Sequence, residues 1–101
     1  MSSSFDVDVT MKNDRAVMAV AGELDVNTIP YIMEATDALA LGQPLTLDLS
    51  GVTFMDSSAL NMLLILRDRA HTEGGMVELR KVTAQTLRLL ERTGTRPLFS
   101  L

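Results

Sequence analysis

The chain of 101 residues contains no cysteine and no tryptophan, and it has a single histidine. The absence of cysteine excludes disulfide scaffolds, thiolate catalysis and every cysteine-ligated metal site. His71 leaves no second imidazole for a histidine-rich metal site or a two-histidine relay. We therefore expect neither a bound metal nor another cofactor.

Long hydrophobic runs are also missing. The longest, residues 16–21 and 62–66, are far shorter than the ~18–20 residues that cross a bilayer. The first residues carry neither a basic flank nor an apolar signal core. Because hydrophobic residues still make up 47% of the chain, an ordinary core is available. The sequence thus predicts one soluble domain over residues 1–101, in the cytoplasm and not bound to membranes.

Basic residues are scarce in the first part of the chain. Residues 1–60 hold two Lys or Arg and nine Asp or Glu, whereas residues 61–101 hold seven and four. A nucleic-acid-binding protein needs a basic stripe, and an isoelectric point near 4.7 argues against that function. The acidic part favours a protein partner with a basic surface. Solvated surfaces without a partner would account for the same charges.

The order of apolar and polar residues predicts an α/β fold. Alternation over residues 5–11 and an apolar run at 16–21 predict two strands joined by a turn at Asn13 and Asp14. Helical spacing over residues 29–39, 59–72 and 83–93 is interleaved with strands at 45–49 and 76–80. Asn27 or Thr28 is expected to cap the first helix, and residues 98–99 form a final short strand or a docked tail. Strands separated by single helices pair in parallel, so we predict a mixed, mostly parallel sheet of four to five strands with three main helices packed mainly on one face.

Two polar loops follow strands of this sheet, at residues 23–28 and 56–58, where ligands of such sheets tend to bind. Asp56 or Ser57 is expected to cap the next helix, which leaves the Ser58 hydroxyl exposed. The unpaired N–H groups and the dipole of a helix N-terminus favour a phosphate there. For any one of these residues, capping alone is the alternative explanation. A catalytic serine would need a base, and His71 lies on the order of 20 Å along the same helix, so we do not expect an enzyme.

Residues 52–60, Val-Thr-Phe-Met-Asp-Ser-Ser-Ala-Leu, resemble the signature of bacterial anti-sigma-factor antagonists in the STAS domain family. Four further segments match the same family in the same order. They are Gly-Glu-Leu-Asp at 22–25, Leu-Thr-Leu-Asp-Leu at 45–49, Gly-Gly at 74–75 and Leu-Glu-Arg-Thr-Gly at 90–94. The resemblance therefore covers nearly the whole chain.

This resemblance implies a binding protein that is switched by phosphorylation. Such proteins bind an anti-sigma factor that is itself a serine kinase, and so release a sigma factor. The kinase phosphorylates the second serine of the motif, here Ser58, which ends the interaction, and a metal-dependent serine phosphatase reverses the modification. Family members usually carry Gly after that serine. This chain has Ala59, and we expect its methyl group to narrow the approach of the kinase.

We predict a partner surface built from both loops and one face of the middle helix. Residues 58, 61, 62 and 65 have the spacing of a single helical face. The predicted contacts are Asp25, Asn27, Thr28, Asp56, Ser57, Ser58, Asn61, Met62 and Ile65. For Ile65, packing beneath a loop is the alternative.

Two other functions stay open at this point. The same kind of domain occurs as a scaffold or transport-complex component that binds protein partners without phosphorylation. A nucleotide- or lipid-headgroup-binding module would use the same helix N-terminus, although the chain has no glycine-rich phosphate loop. We expect a monomer or a weak homodimer.

Overall fold

The computed structural model describes residues 5–101 of the chain. Within this range four strands, three α-helices and a short 3₁₀ helix follow one another. They are β1 (Asp6–Lys12), β2 (Arg15–Leu24), α1 (Ile29–Asp37), β3 (Leu45–Met55), α2 (Ser57–Glu73), β4 (Val77–Arg80), α3 (Ala84–Thr93) and the 3₁₀ helix Arg96–Phe99.

The strands form one mixed sheet in the order β1-β2-β3-β4. β1 and β2 are antiparallel, and the turn between them places Asn13 and Asp14 at φ 51° and 64°. Two consecutive positive φ values suit the twist of a tight hairpin, and Asn and Asp tolerate them. β2, β3 and β4 run parallel. The predicted hairpin, the mixed sheet and the three main helices are confirmed.

The end of the chain packs onto the core without joining the sheet. Residues 98–99 belong to the 3₁₀ helix, so the described sheet has four strands. Pro97 lacks a backbone N–H and cannot complete a strand ladder. The Phe99 side chain is buried in the core, which confirms the docked tail, the second of the two expectations for this segment.

One face of the sheet packs against the helices, and the opposite face keeps more access to solvent. On β2 the buried residues Ala16, Met18, Val20 and Leu24 alternate with residues that keep access to solvent. The buried set faces the helices, where α2 contributes Leu63, Leu66 and Ala70. We call the opposite side of β1 and β2 the outer face. Its residues are Asp6, Asp8, Thr10 and Lys12 on β1, and Arg15, Val17, Ala19, Ala21 and Glu23 on β2.

One position in the loop after α2 has no room for a side chain and needs a glycine. Gly74 ends α2 in the left-handed region at φ 89°, and its N–H reaches the last carbonyls of the helix. A Cβ atom on the next residue, Gly75, would collide with the carbonyl oxygen of Leu41. The close approach of these two backbones lets the chain turn directly from α2 into β4.

Candidate functional site

The two polar loops lie side by side at one edge of the sheet. β2 and β3 run parallel, and their last paired residues are Leu24 and Met55. The backbone N–H of Asp56 donates to the carbonyl oxygen of Leu24 at 3.3 Å, which ties the two strand ends together. The segments that follow, residues 25–28 and 56–58, therefore share one edge of the molecule.

Asp56 is the N-cap of α2. Its backbone is extended (φ −110°, ψ −176°), and its Oδ1 accepts a hydrogen bond from the Ala59 N–H at 3.1 Å. An N-cap carboxylate both satisfies an unpaired amide and interacts favourably with the helix dipole. Of the two predicted caps, Asp56 and Ser57, the structure selects Asp56.

Ser57 and Ser58 occupy the first turn of α2, and both side chains are exposed. α2 begins at Ser57, directly after the Asp56 cap, although the helical apolar spacing in the sequence starts only at residue 59. Within residues 5–101 neither hydroxyl makes a hydrogen bond to another protein group. Their backbone N–H groups belong to the turn that has no intrahelical acceptor. Both serines consequently present a free hydroxyl at the positive end of the helix.

Ala59 is fully buried, with an exposed fraction of 0%. Its methyl group lies in the core under α2, among residues that include Leu63. Our expectation that this methyl group narrows the approach of a kinase is wrong. The reason is geometric, because successive residues of a helix are turned by about a quarter to a third of a circle, and residue 59 faces the sheet while Ser58 faces solvent.

Met62 does not belong to the exposed surface, contrary to the sequence prediction. Its side chain is 3% exposed and lies in the core, whereas Ile65 is 42% exposed and Asn61 is exposed as well. One side of α2 does contain residues 58, 61, 62 and 65. Met62 lies at the border of this side, where the helix surface packs against the core. Helical spacing alone does not show which part of the surface of α2 the sheet covers.

Hydrogen bonds within the β2–α1 loop use several of the predicted contact groups. The Asp25 carboxylate accepts from the Asn27 N–H at 2.9 Å. The Thr28 hydroxyl donates to the carbonyl oxygen of Glu23 at 2.7 Å and accepts from the Asp25 N–H at 3.0 Å. Thr28 stands at the N-cap position of α1, but its side chain does not cap the helix. Asp25 and Thr28 therefore shape the loop, while Asn27 stays exposed at its tip.

Val26 is a residue of this surface that sequence reasoning missed. It is 69% exposed, directly beside Asn27. An isolated valine in a loop carries no periodic signal, so the sequence offers no hint of its exposure. Val26 and Ile65 supply the apolar part of an otherwise polar surface. We define the switch surface as Val26, Asn27, Ser57, Ser58, Asn61 and Ile65.

Gln85 on α3 is a second residue that the sequence did not point to. Its Oε1 accepts from the Met55 N–H at 3.0 Å, and its Nε2 donates to the Met55 carbonyl oxygen at 2.9 Å. β3 has 11 residues and β4 has four, so β4 ends before it can pair with the last part of β3. At Met55, immediately before Asp56, the Gln85 amide makes the backbone hydrogen bonds that a neighbouring strand would otherwise make.

The described residues contain no group of three or more His, Cys, Asp or Glu side chains that could hold a metal ion. Across the same part of the chain, no helix has the length and apolar content needed to cross a membrane. His71 lies in the last turn of α2, at the opposite end of the helix from Ser58. The switch surface therefore presents two accessible hydroxyls beside two exposed apolar side chains.

Comparison with known proteins gives a consistent result. The family model described as "Mlab, STAS domain" matches residues 7–98. The anti-sigma-B factor antagonist of Bacillus subtilis is 27% identical over 99 residues, which span 97% of this chain and 91% of that protein. A STAS-domain containing protein of Pseudomonas aeruginosa is 29% identical over 83 residues, 81% of this chain and 82% of that one.

Solved structures agree with the sequence comparisons. The crystal structure of an anti-sigma factor antagonist from Mycobacterium paratuberculosis superposes with a TM-score of 0.82 at 30% identity, over 97% of this chain and 85% of that one. The unphosphorylated form of the anti-sigma factor antagonist SpoIIAA has the same fold, with a TM-score of 0.74 at 18% identity over 93% and 84% of the two chains. The family match spans most of the described fold, including both loops of the switch surface. This chain belongs to the STAS domain family.

Proposed function

We propose that this protein is an anti-sigma factor antagonist that acts in the cytoplasm. Its partner would be an anti-sigma factor with serine kinase activity, bound through the switch surface, so that a sigma factor is released. The proposal draws on the names of the relatives at 27% and 30% identity, both of which are anti-sigma factor antagonists. It also draws on the match of residues 52–60 to the signature of that family.

The observation that carries the proposal is the position of Ser58. Its hydroxyl is exposed in the first turn of α2, one residue after Ser57 and two after the cap Asp56. A kinase can reach a hydroxyl there without unfolding the helix. The exposed apolar side chains of Val26 and Ile65 give the same surface the area that a protein partner would bury.

The charge of a phosphate explains how modification would end binding. A phosphoserine adds about −1.5 to −2 charges at neutral pH. At residue 58 it would be held by the amides and dipole of the helix N-terminus, so the fold itself would tolerate it. Asp25 and Asp56 already place negative charge beside this position. A partner would then have to desolvate an additional unpaired charge, which is costly at an interface.

In this scheme the chain is a substrate and not a catalyst. The base that accepts the serine proton and the magnesium-bound nucleotide belong to the kinase. A metal-dependent serine phosphatase would remove the phosphate and restore binding. The chain itself contributes the hydroxyl, its orientation at the helix N-terminus and the surrounding contact area.

The test is a calorimetric titration of the partner, recovered by pull-down from the native cytosol, with wild type, Ser58→Ala and Ser58→Asp. In the presence of ATP we expect wild type to lose affinity over time, whereas Ser58→Ala should keep the affinity of unphosphorylated wild type. Ser58→Asp should bind at least tenfold more weakly, a difference of about 1.4 kcal/mol. The aspartate should not harm the fold, because a carboxylate in the first turn stabilises a helix by roughly 0.3–1 kcal/mol.

Ser57→Ala is the matched control, since Ser57 is equally exposed and lies next to Ser58. Mass spectrometry after incubation with kinase and ATP should show phosphate on wild type and on Ser57→Ala, and none on Ser58→Ala. If only Ser57→Ala lost the phosphate, the phosphorylated residue would be Ser57 and not Ser58. Equal affinity of all Ser58 variants for the partner would refute the phosphorylation switch.

A second function is favoured by the description of the matching family model. That description names a STAS domain without mention of sigma factors. A STAS scaffold or transport-complex component would use the same surface to bind a protein partner without phosphorylation. A measurement in cells distinguishes the two functions, because the scaffold function predicts no phosphate on Ser58 under any growth condition.

A further inference from the structure

β1 forms one edge of the sheet, and within residues 5–101 it pairs only with β2. The turn over residues 13–14 has positive φ at both positions, as a type I′ turn requires, and it closes on the pair Lys12 and Arg15. The first and fourth residues of such a turn bond each other, so Lys12 directs its backbone groups toward β2. Because this direction alternates along a strand, every second residue of β1 directs its N–H and C=O groups to the edge of the sheet. These residues are Val7, Val9 and Met11.

The side chains of the same three residues are poorly covered. They lie opposite buried residues of β2, so they project from the helical side of the sheet. Val7 is half-buried, whereas Val9 is 38% and Met11 is 57% exposed. The helical layer therefore ends before it covers this part of β1. An edge strand with uncovered apolar side chains is a template for pairing with another strand.

A groove of about 530 Å³ lies beside one end of β1. Its walls come from β1, the β2–α1 loop and α1. The lining residues are Phe5, Asp6, Val7, Asn27, Thr28 and Tyr31. The rings of Phe5 and Tyr31 lie 5.9 Å apart, and Tyr31 is 62% exposed. The groove thus offers apolar walls to a side chain that approaches along the edge of the sheet.

The residues of β1 are complementary to themselves when two copies of the strand run antiparallel. Val9 is the middle residue of the strand, with Asp6 at one end and Lys12 at the other. A two-fold axis through Val9 therefore pairs all seven residues of β1 with those of a second copy. The facing pairs are Asp6 with Lys12, Val7 with Met11, and Asp8 with Thr10. Only Val9 faces its own counterpart, and that contact is apolar.

We propose that β1 pairs with β1 of a second copy of this chain, which joins the two sheets into one continuous sheet. The edge-directed N–H and C=O groups of Val7, Val9 and Met11 bond those of the other copy, since bonded residues face each other in an antiparallel ladder. Met11 of each copy enters the groove beside Val7 of the other. On the outer face, Asp6 and Lys12 form an ion pair at each end of the paired strands.

The charges of β1 select this register over the neighbouring ones. An axis through Asp8 would set that carboxylate against its own counterpart. An axis through Thr10 would bring Asp6 to Asp14 of the other copy, again with like charges together. Like charges directly opposite each other destabilise a strand pair. Of these three registers, the axis through Val9 alone leaves every carboxylate opposite a residue that is not acidic.

The interface is small, so the dimer is weak. It is one strand wide and, with seven residues at about 3.3 Å each, about 23 Å long. It buries less than the roughly 1,200–2,000 Å² of a standard interface. We expect a dissociation constant between about 10 μM and 1 mM. This dimer is independent of the proposed phosphorylation switch, and a scaffold protein would form it equally.

Disulfide crosslinking tests the register, because the chain has no cysteine of its own. In Val9→Cys the two Cα atoms would lie about 5.5 Å apart across the axis, within the reach of a disulfide. In the adjacent control Thr10→Cys they would lie about 7–8 Å apart, too far for one. Oxidation should give a covalent dimer of Val9→Cys and leave Thr10→Cys mainly monomeric. A Val9→Cys protein that is not crosslinked, or is crosslinked more slowly than Thr10→Cys, would overturn the proposal.

Sedimentation equilibrium tests the charge pairs. Asp6→Lys alone and Lys12→Asp alone should each raise the dimer dissociation constant at least about fivefold, since each sets like charges opposite one another at both ends. An equimolar mixture of the two variants should recover the dimer, because every facing pair then has opposite charges. Thermal unfolding of each variant checks that it is folded. Asp68→Lys is the matched control, a reversal on α2 at a side chain that is 81% exposed, and it should leave the dissociation constant unchanged.

Wild type that stays monomeric up to about 1 mM would overturn the proposal and make a strand of a different protein the candidate for this edge. Dimerisation that Asp6→Lys does not weaken, or that the mixture does not restore, would overturn it as well. None of these results depends on Ser58 or on the anti-sigma partner, so this proposal and the proposed function can fail separately.

Discussion

At the scale of single residues, Met62 and Ile65 show how sharply α2 divides between core and surface. They are three positions apart on one side of the helix, yet Met62 is 3% exposed and Ile65 is 42% exposed. Burying an apolar side chain stabilises the fold, whereas leaving one in water contributes little. The two residues should therefore differ in what their substitution costs.

We predict that Ile65→Asp weakens partner binding more than tenfold, or about 1.4 kcal/mol, while it lowers the stability of the fold by less than about 1 kcal/mol. The aspartate removes apolar contact area and adds an unpaired charge to the switch surface. Calorimetric titration gives the affinity and chemical denaturation gives the stability.

Met62→Ala is the matched comparison on the same helix. It empties a buried position and should cost about 2–5 kcal/mol of stability. Because Met62 does not reach the surface, the folded fraction of this variant should bind the partner with nearly wild-type affinity. If Ile65→Asp loses stability and affinity in equal measure, Ile65 contributes to the core and not to the partner contact.

At the scale of the elements, the site depends on a tie between α3 and β3. The Gln85 amide makes two hydrogen bonds to the backbone of Met55, which immediately precedes the cap Asp56. Removing that amide leaves a backbone N–H and a backbone C=O without their partners. Each such loss costs about 1–3 kcal/mol when the group is buried.

We predict that Gln85→Ala lowers the free energy of unfolding by about 2–6 kcal/mol, the sum of the two losses, and accelerates hydrogen exchange at the Met55 and Asp56 amides. The exposed Gln43→Ala is the control, which should change stability by less than about 0.5 kcal/mol. Exchange rates at Met55 that match wild type would show that the turn before α2 is held without Gln85.

At the scale of the whole molecule, ion pairs join the acidic and basic parts of the chain. Asp37 pairs with Arg69 at 3.0 Å, and Asp48 pairs with Lys81 at 3.7 Å. The Asp48 Oδ1 also accepts from the Ser50 N–H at 3.0 Å and from the Ser50 hydroxyl at 2.7 Å. These hydrogen bonds from Ser50 are the main cause that lowers the pKa of Asp48, and the charge of Lys81 adds to the effect.

The lowered pKa of Asp48 predicts a defined pH dependence. Since the pKa in the folded protein lies below the ordinary value of 3.8, the carboxylate stabilises the fold fully above that value. The contribution disappears as the pH falls from there through the folded pKa. We predict that wild type is more stable than Asp48→Asn at about pH 6 and that the difference shrinks as the pH falls below about 4.

Chemical denaturation of both proteins across this pH range measures the difference directly. Asp14→Asn, in the exposed turn between β1 and β2, reports the general effect of removing one carboxylate. A difference between wild type and Asp48→Asn that stays constant down to the lowest pH would show that Asp48 does not contribute through its charge.

The sequence by itself determined the order of the elements and placed the proposed phosphorylation site at the start of α2. Alternating and helical apolar spacing predicted the strands and helices, Asn13 and Asp14 the hairpin turn, and residues 56–58 the start of α2. These features depend on interactions between residues a few positions apart, so they can be seen in the sequence. The resemblance to the family also rested on short stretches of sequence, namely five segments that match in the same order.

Only the tertiary structure decided which side chains the site exposes and what holds it in place. The boundary between Met62 and Ile65 depends on how far the sheet extends beneath α2, and helical spacing does not contain that distance. The buried methyl group of Ala59 follows from the same packing. Gln85 and Met55 are 30 residues apart, and their hydrogen bonds exist because β4 ends earlier than β3. Such contacts arise only when distant segments pack together, which is why the sequence could not reveal them.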